Sequence, residues 1–112
     1  MTGPRTILVV DDDPSLRLLC RVNLELEGHR VLEASTLAEA RSCLASEAID
    51  VIVLDVHVAR EQGLELIAEA RPARVVLLTG SAEIDDETRA SVDAVLGKPF
   101  ALEALTAVIA DK

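Results

Sequence analysis

The chain has 112 residues, enough for one domain that buries roughly two thirds of its unfolded surface without disulfides or metal. Its net charge of −9 argues against direct nucleic-acid binding. Half the residues are apolar but Phe100 is the only aromatic, so stacking on a flavin, a base or a sugar has almost nothing to rest on, and no apolar run approaches the ~20 residues that span a bilayer.

Residues 1–5 read as a short disordered lead, and the remainder, 6–112, as a single domain. The run Ile7 to Val10 is apolar on both faces and β-branched, the pattern of a strand buried in a parallel sheet. It ends on Asp11, Asp12 and Asp13, and Pro14 follows, so Asp13 is placed as the N-cap of a helix with proline at its first position. That helix extends from Pro14 to Glu27 and stops at Gly28. Leu18, Leu19, Val22 and Leu26 form one apolar stripe, Leu16, Cys20 and Leu24 a second row, and Arg17, Arg21 and Glu25 the polar face. The apolar sector is wider than one sheet contact needs, which fits either a well-buried helix or one that docks a partner.

Val31–Ala34 is the second strand, and Thr36 with Glu39 opens the second helix as a capping box, with Leu37, Ala40 and Leu44 facing inward. Val51–Leu54 is the third strand and again ends on a carboxylate, Asp55. A loop to Gln62 leads into Gly63 and a short helix, Leu64 to Ala70, stopped by Pro72. Val75–Leu78 ends at Thr79-Gly80-Ser81. The segment Ala82–Ser91 is polar, with Asp85, Asp86 and Glu87 reading as a solvated face, so its helix is short and weakly anchored. Ala94–Leu96 precedes Gly97-Lys98-Pro99-Phe100, and a last helix, Ala101–Ala110, buries Leu102, Leu105 and Ile109. Cys20 and Cys43 read as reduced core residues of a cytoplasmic protein. His29 and His57 read as exposed loop residues.

Alternating buried strands and amphipathic helices predict an α/β fold: a doubly wound, five-stranded parallel sheet in the flavodoxin-like order 2-1-3-4-5 with five helices, the fourth short. In that order the carboxyl ends of the strands converge where strands 1 and 3 adjoin. Asp11, Asp12, Asp55, Thr79 and Lys98 all stand at such ends. Three crowded carboxylates repel one another unless a cation is present, and hard carboxylate oxygens suit Mg2+ or Ca2+. Carboxylates, a hydroxyl and an ammonium together support phosphoryl transfer, with one carboxylate as nucleophile.

The stretches Ile-Leu-Val-Val-Asp11-Asp12-Asp13-Pro, Val-Ile-Val-Leu-Asp55, Val-Val-Leu-Leu-Thr79-Gly80 and Gly97-Lys98-Pro99-Phe100 resemble, in order, the four motifs of the receiver domain of two-component response regulators. The resemblance covers essentially the whole chain. It implies that Asp55 accepts a phosphoryl group from a sensor histidine kinase, a phosphotransfer protein or a small phosphodonor. It implies Mg2+ held by Asp12 directly, by Asp11 through water, by Asp55 and by the backbone carbonyl of His57. Thr79 and Lys98 would grip the phosphoryl oxygens, the peptide before Pro99 would be cis, and Gly63 would permit the turn that closes the loop after strand 3. Such a protein is no enzyme in the ordinary sense, but it catalyses its own phosphorylation and dephosphorylation. It passes the change on to an output domain or a downstream protein.

The sequence also departs from the family pattern. Val58 and Ala59 replace the usual Met-Pro, Gln62 replaces an acidic residue, and Val95 replaces the aromatic switch. The stretches from Asp55 to Thr79 and from Thr79 to Lys98 are trimmed. A rotating aromatic therefore cannot report phosphorylation here, and a stunted fourth helix cannot offer the usual dimerisation face in full. Two other readings remain in view. One is a receiver-like interaction module that takes no phosphate. The other is a haloacid-dehalogenase-like phosphatase using Asp11 and Asp13, which would need a further acidic pair after Lys98, where only Glu103 and Asp111 follow.

Overall fold

The computed structural model describes residues 3–58, 60–80 and 84–110. The start of the expected lead, Ala59 of the altered loop, the Ser81–Glu83 approach to the fourth helix and Asp111 lie outside the described residues. Five parallel strands, β1 (Thr6–Val10), β2 (Arg30–Ala34), β3 (Val51–Asp55), β4 (Arg74–Thr79) and β5 (Ala94–Gly97), pair in the order β2-β1-β3-β4-β5. This is the predicted doubly wound topology. Between them run α1 (Pro14–Leu26), α2 (Leu37–Ser46), α3 (Ile67–Ala70), α4 (Asp86–Ala90) and, last, α5 (Leu102–Ala110). No helix among the described residues is long and apolar enough to cross a membrane.

Successive side chains of a strand point to opposite faces, so each strand supplies two cores. Ile7, Val9, Val51, Val53, Val76 and Leu78 pack with Cys20 and Leu24 of α1 and with Leu105 and Ile109 of α5. Leu8, Val10, Ile52, Leu54, Val75 and Leu77 pack with Leu37 and Ala40 of α2 and with Ala70 of α3. Each fully buried Leu or Ile side chain contributes about 1.5–3 kcal/mol of burial free energy. The layers hold the central strands rigidly, and the carboxyl ends of those strands carry the acidic turn.

The end of α1 is set by local chemistry. Asp13 accepts hydrogen bonds from the backbone N–H groups of Ser15 (2.9 Å) and Leu16 (3.4 Å). At the other end Gly28 takes φ +94°, its N–H bonds the Glu25 carbonyl and the His29 N–H bonds the Leu24 carbonyl, which is a Schellman stop. Of the two apolar rows, only the second reaches the core: Cys20 and Leu24 are fully buried and Leu16 packs half-buried against the same cluster. Leu18, Leu19, Val22 and Leu26 are 58, 47, 47 and 79 % exposed, so α1 is not the fully buried helix that the sequence allowed. The sheet contact uses one row because a helix lying on a sheet presents only one stripe to it.

Other local details depart from expectation. In α2, Thr36 caps the Glu39 N–H at 3.1 Å, and the Glu39 carboxylate returns chiefly to the N–H and hydroxyl of Ser35, one residue before the cap, with the Thr36 N–H a lesser partner. The loop after β3 contains a small antiparallel hairpin, His57–Val58 against Glu61–Gln62, with Arg60 at φ 72° in its turn. The short helix expected over Leu64–Ala70 is a 3-10 turn, Gly63–Leu66, running into the single α-turn of α3. Asp85, read as part of a solvated run, caps α4 by accepting the Thr88 N–H at 2.7 Å. No residue of α4 is fully buried, and among the described residues beside it Ile84 and Val92 are packed against the core. Leu102 is half-buried rather than core, because it lies at the edge where α5 meets the end of α1. Arg5, assigned to a disordered lead, is instead fastened to the sheet: its N–H donates to His29 Nδ1 at 3.0 Å and its carbonyl accepts the Arg30 N–H at 2.9 Å.

Candidate functional site

β1 lies between β2 and β3, so its carboxyl end opens on the crevice at the switch point. The Asp11 N–H bonds the Ala34 carbonyl at 3.1 Å and extends the ladder one residue beyond β1. Its side chain is turned inward and fully buried, with Oδ1 accepting the Asp13 N–H at 2.9 Å. Asp55, the last residue of β3, is 8 % exposed. Asp12 is exposed at the rim, yet carboxylate oxygens of Asp11, Asp12 and Asp55 all lie within 4.8 Å of one another.

Lys98 enters from β5. Its N–H bonds the Thr79 carbonyl at 2.7 Å, so the two strands stay zipped to the edge of the pocket. The Lys98–Pro99 peptide is cis, as the resemblance implies; Arg71–Pro72 is a second cis peptide that nothing in the sequence pattern announces. Lys98 Nζ sits 2.8 Å from Asp11 Oδ2 and 3.2 Å from Asp55 Oδ2. Thr79 is buried at the end of β4, one residue beyond Leu78, the register partner of Asp55. His57 is exposed on the hairpin, and its N–H reaches Asp55 Oδ1 at 3.4 Å. Gly63 lies against the same backbone: its N–H donates to the Val56 carbonyl at 2.6 Å, and a Cβ there would collide with the Asp55 carbonyl oxygen. A glycine is required by that close approach, not by a positive φ.

The electrostatics follow from crowding. Burial pushes the Asp55 carboxyl above the usual range, the Asp11 charge adds to the rise, and Lys98 opposes both. Burial alone would lower the Lys98 ammonium, but the hydrogen bond to Asp11 and the charges of Asp55 and Asp11 outweigh it and raise it. Burial, then the nearby Asp11 charge, lifts the Cys20 thiol to about 11, which keeps it protonated and unreactive. Three carboxylates facing one ammonium leave the pocket with excess negative charge in hard oxygen donors, a set that fits a small divalent cation.

The structure thus brings Asp11, Asp12, Asp55 and Lys98 together, with Thr79 and the His57 backbone on adjacent strand ends. Asp13 is engaged as a helix cap, and Glu103 lines a surface cleft with Asn23, Leu26 and Glu27 instead of the acidic pocket. Both observations count against the phosphatase reading. One contact to the acidic turn is not legible in the sequence. The helical spacing puts Arg17 on a polar face, but its side chain is only 16 % exposed and Nη1 donates to the Asp11 carbonyl at 2.7 Å. The available signal was its position four residues after the cap, since helical side chains lean back over the preceding turn.

Comparison with known proteins gives a consistent picture. A family model described as the response regulator receiver domain matches residues 7–110. The chain is 37 % identical over 111 residues to the response regulator MprA of Mycolicibacterium vanbaalenii, covering 93 % of this chain and 48 % of that protein. It spans a quarter to a half of the length of the curated relatives it matches. Among solved structures, a response regulator from Burkholderia pseudomallei, with a phosphorylated aspartic acid, calcium ion and citrate, superposes with a TM-score of 0.83 at 30 % identity, over 94 % of this chain and 66 % of that one. The response regulator TrrA of Thermotoga maritima, in complex with Mg2+ and BeF, gives 0.82 at 30 % identity, over 92 % and 94 % of the two chains.

Proposed function

The chain belongs to the receiver-domain family of two-component response regulators, and from the geometry of its acidic pocket we propose that Asp55 is the residue that becomes phosphorylated. The observation that carries this is the convergence of Asp11, Asp12 and Lys98 on a buried carboxylate at the end of β3. An oxygen of Asp55 forms the new P–O bond while the bond from phosphorus to the donor breaks, a P–N bond for the phosphohistidine of a sensor kinase or phosphotransfer protein. Asp11, Asp12, Asp55 and the His57 carbonyl would hold Mg2+. Bound there, the ion would neutralise the phosphoryl oxygens. Lys98, already within 3.2 Å of Asp55, would screen charge on the same oxygens, and Thr79, buried at the end of the adjacent strand, would bind another through its hydroxyl. The same groups would serve the second step, in which a water oxygen bonds phosphorus, the P–O bond to Asp55 breaks, and inorganic phosphate leaves with the Asp55 carboxylate restored. The protein is therefore a phosphoacceptor with self-catalysed turnover.

A protein donor needs a docking surface beside the pocket. α1 starts directly from the acidic turn, and its exposed row of Leu18, Leu19, Val22 and Leu26 begins one turn from it, so we assign this face to the phosphodonor protein. The readout differs from the usual one. Val95 is half-buried against the sheet, with no ring to rotate, and α4 is a single short turn of helix. The partner addressed by that face is an output domain or a separate protein in a cytoplasmic pathway.

Intact mass after incubation with Mg2+ and a small acyl phosphate, beside an Asp55→Asn control, tests the reading. One added phosphoryl group, absent from the control and from a metal-free sample, supports it. A folded protein that neither binds Mg2+ nor gains mass overturns it and favours the interaction module.

A further inference from the structure

Asp11 is held on every side. Its N–H bonds Ala34, its carboxylate bonds the Asp13 N–H and Lys98, and its carbonyl takes Arg17 Nη1 at 2.7 Å. Arg17 Nε in turn donates to Glu33 Oε1 at 3.1 Å, and Glu33 Oε2 accepts Arg21 Nη1 at 3.0 Å. A further bond, Arg21 Nε to Glu25 Oε2 at 3.1 Å, closes a chain from the outer face of α1, through β2, to the acidic turn. The planar guanidinium can serve two acceptors at fixed angles, which a lysine cannot. The Asp11 carbonyl and the Asp12 nitrogen share one peptide plane. Fixing the carbonyl therefore fixes where the backbone of Asp12 leaves the turn. Asp12 is exposed, so the direction of its carboxylate depends on that backbone rather than on packing.

We propose that Arg17 is a positioning residue for the cation site: it locks the Asp11–Asp12 peptide so that the Asp12 carboxylate converges with those of Asp11 and Asp55. This rests on the reading of the pocket as a divalent-cation and phosphoacceptor site. The assignment is testable through the sign of an effect. If the guanidinium acted only as a nearby positive charge, removing it would tighten cation binding to three carboxylates. If it positions the turn, removing it weakens binding.

The experiment is calorimetric titration of Mg2+ into the phosphate-free protein and its Arg17→Ala, Arg17→Lys and Glu33→Gln variants, with the melting temperature of each measured alongside. Removing a group that orients ligands costs on the order of ten-fold in metal affinity. Arg17→Ala should bind Mg2+ about that much more weakly, and Arg17→Lys, which keeps the charge but not the fork, should also be weakened. Glu33→Gln, which leaves every ligand in place, should fall between Lys and wild type. Faster amide exchange at Asp12 and Asp13 in metal-free Arg17→Lys is the accompanying result. Wild-type affinity in Arg17→Lys, or tighter binding in Arg17→Ala, overturns the assignment even if both melt early. A wild-type protein that takes no Mg2+ overturns the phosphoacceptor reading as well.

Discussion

Replacing Lys98 with methionine removes the ammonium that bridges Asp11 and Asp55 while keeping most of the side-chain volume. Across 2.8 and 3.2 Å, at an effective dielectric constant of about 20, each attraction is on the order of 5–6 kcal/mol before desolvation is counted. Desolvation of the three charges offsets most of this, and breaking a buried pair by removing one partner leaves a net cost of about 3–5 kcal/mol. Lys98 is 27 % exposed, and water screening reduces the loss to about 2–3 kcal/mol. With a urea slope of about 1.5 kcal/mol/M, the unfolding midpoint at neutral pH and without metal should drop by about 1–2 M. The deficit should depend on both protons and metal. The Asp55 carboxyl is already raised by burial and by Asp11, and losing Lys98 raises it further. A carboxyl with a raised folded pKa favours the folded state at low pH, and that contribution is lost as pH rises through the folded value. The variant should therefore approach wild type in mild acid and fall behind toward neutrality. Mg2+ should also restore stability to the variant more than to wild type, since it supplies the missing positive charge. A deficit that is the same in acid, at neutrality and in saturating Mg2+ would refute the electrostatic account and leave only lost packing.

Gly63→Ala drives a methyl group into the Asp55 carbonyl, and should cost about 1–3 kcal/mol, read as a lower melting temperature in calorimetry together with slower phosphoryl uptake. Asp93 is held below the usual carboxylate range: burial opposes this, but the Val75 N–H at 2.7 Å and Arg71 at 2.9 Å prevail. Asp93→Asn should lose about 1 kcal/mol at neutral pH, and since a depressed pKa stabilises only above the unfolded value of about 3.9, urea melts of variant and wild type should converge as pH falls through the folded one. Leu26→Lys, at a position 79 % exposed, should change stability by no more than about 0.5 kcal/mol. It should slow phosphotransfer from a protein donor while leaving uptake from a small acyl phosphate unchanged.

Where sequence and structure agree, one strong local signal is usually decisive. Four consecutive β-branched-rich apolar residues ending on Asp11 or Asp55 read as strands buried on both faces, and five βα units in this length fit the order found. Asp13 as a cap, Pro14 as the first helical residue and Gly28 as a stop are short-range chemistry, legible without tertiary context. What was not legible depends on distant partners. The exposed row of α1 and its buried row have similar composition, and only the placement of β1, β2 and α5 decides between them. Arg17 looks like any solvated arginine until the Asp11 carbonyl and Glu33 arrive from two different strands. The hairpin at His57 has no alternating pattern, because two residues on each side are too few to show one. Asp93 offered no hint either, since its work is to tie Val75 and Arg71 across the sheet edge.

The brevity of α4 sets the energy scale on which this domain can respond. A helix of five residues cannot repay its own nucleation, and α4 borrows its order from the Asp85 cap and from Ile84 and Val92 on either side. Its amides should exchange with solvent by local opening at a small fraction of the free energy that protects β1 and β3. A gap of about 1–2 kcal/mol corresponds to an alternative arrangement populated at the level of several per cent before any signal arrives. One or two charge-assisted hydrogen bonds, each about 1.5–3 kcal/mol, are enough to invert such a ratio. If Asp55 takes up a phosphoryl group, the face beside β5 would behave less like a lever moved by a rotating ring than like a lightly weighted balance, on which a small new charge at the strand ends would decide which arrangement a partner meets.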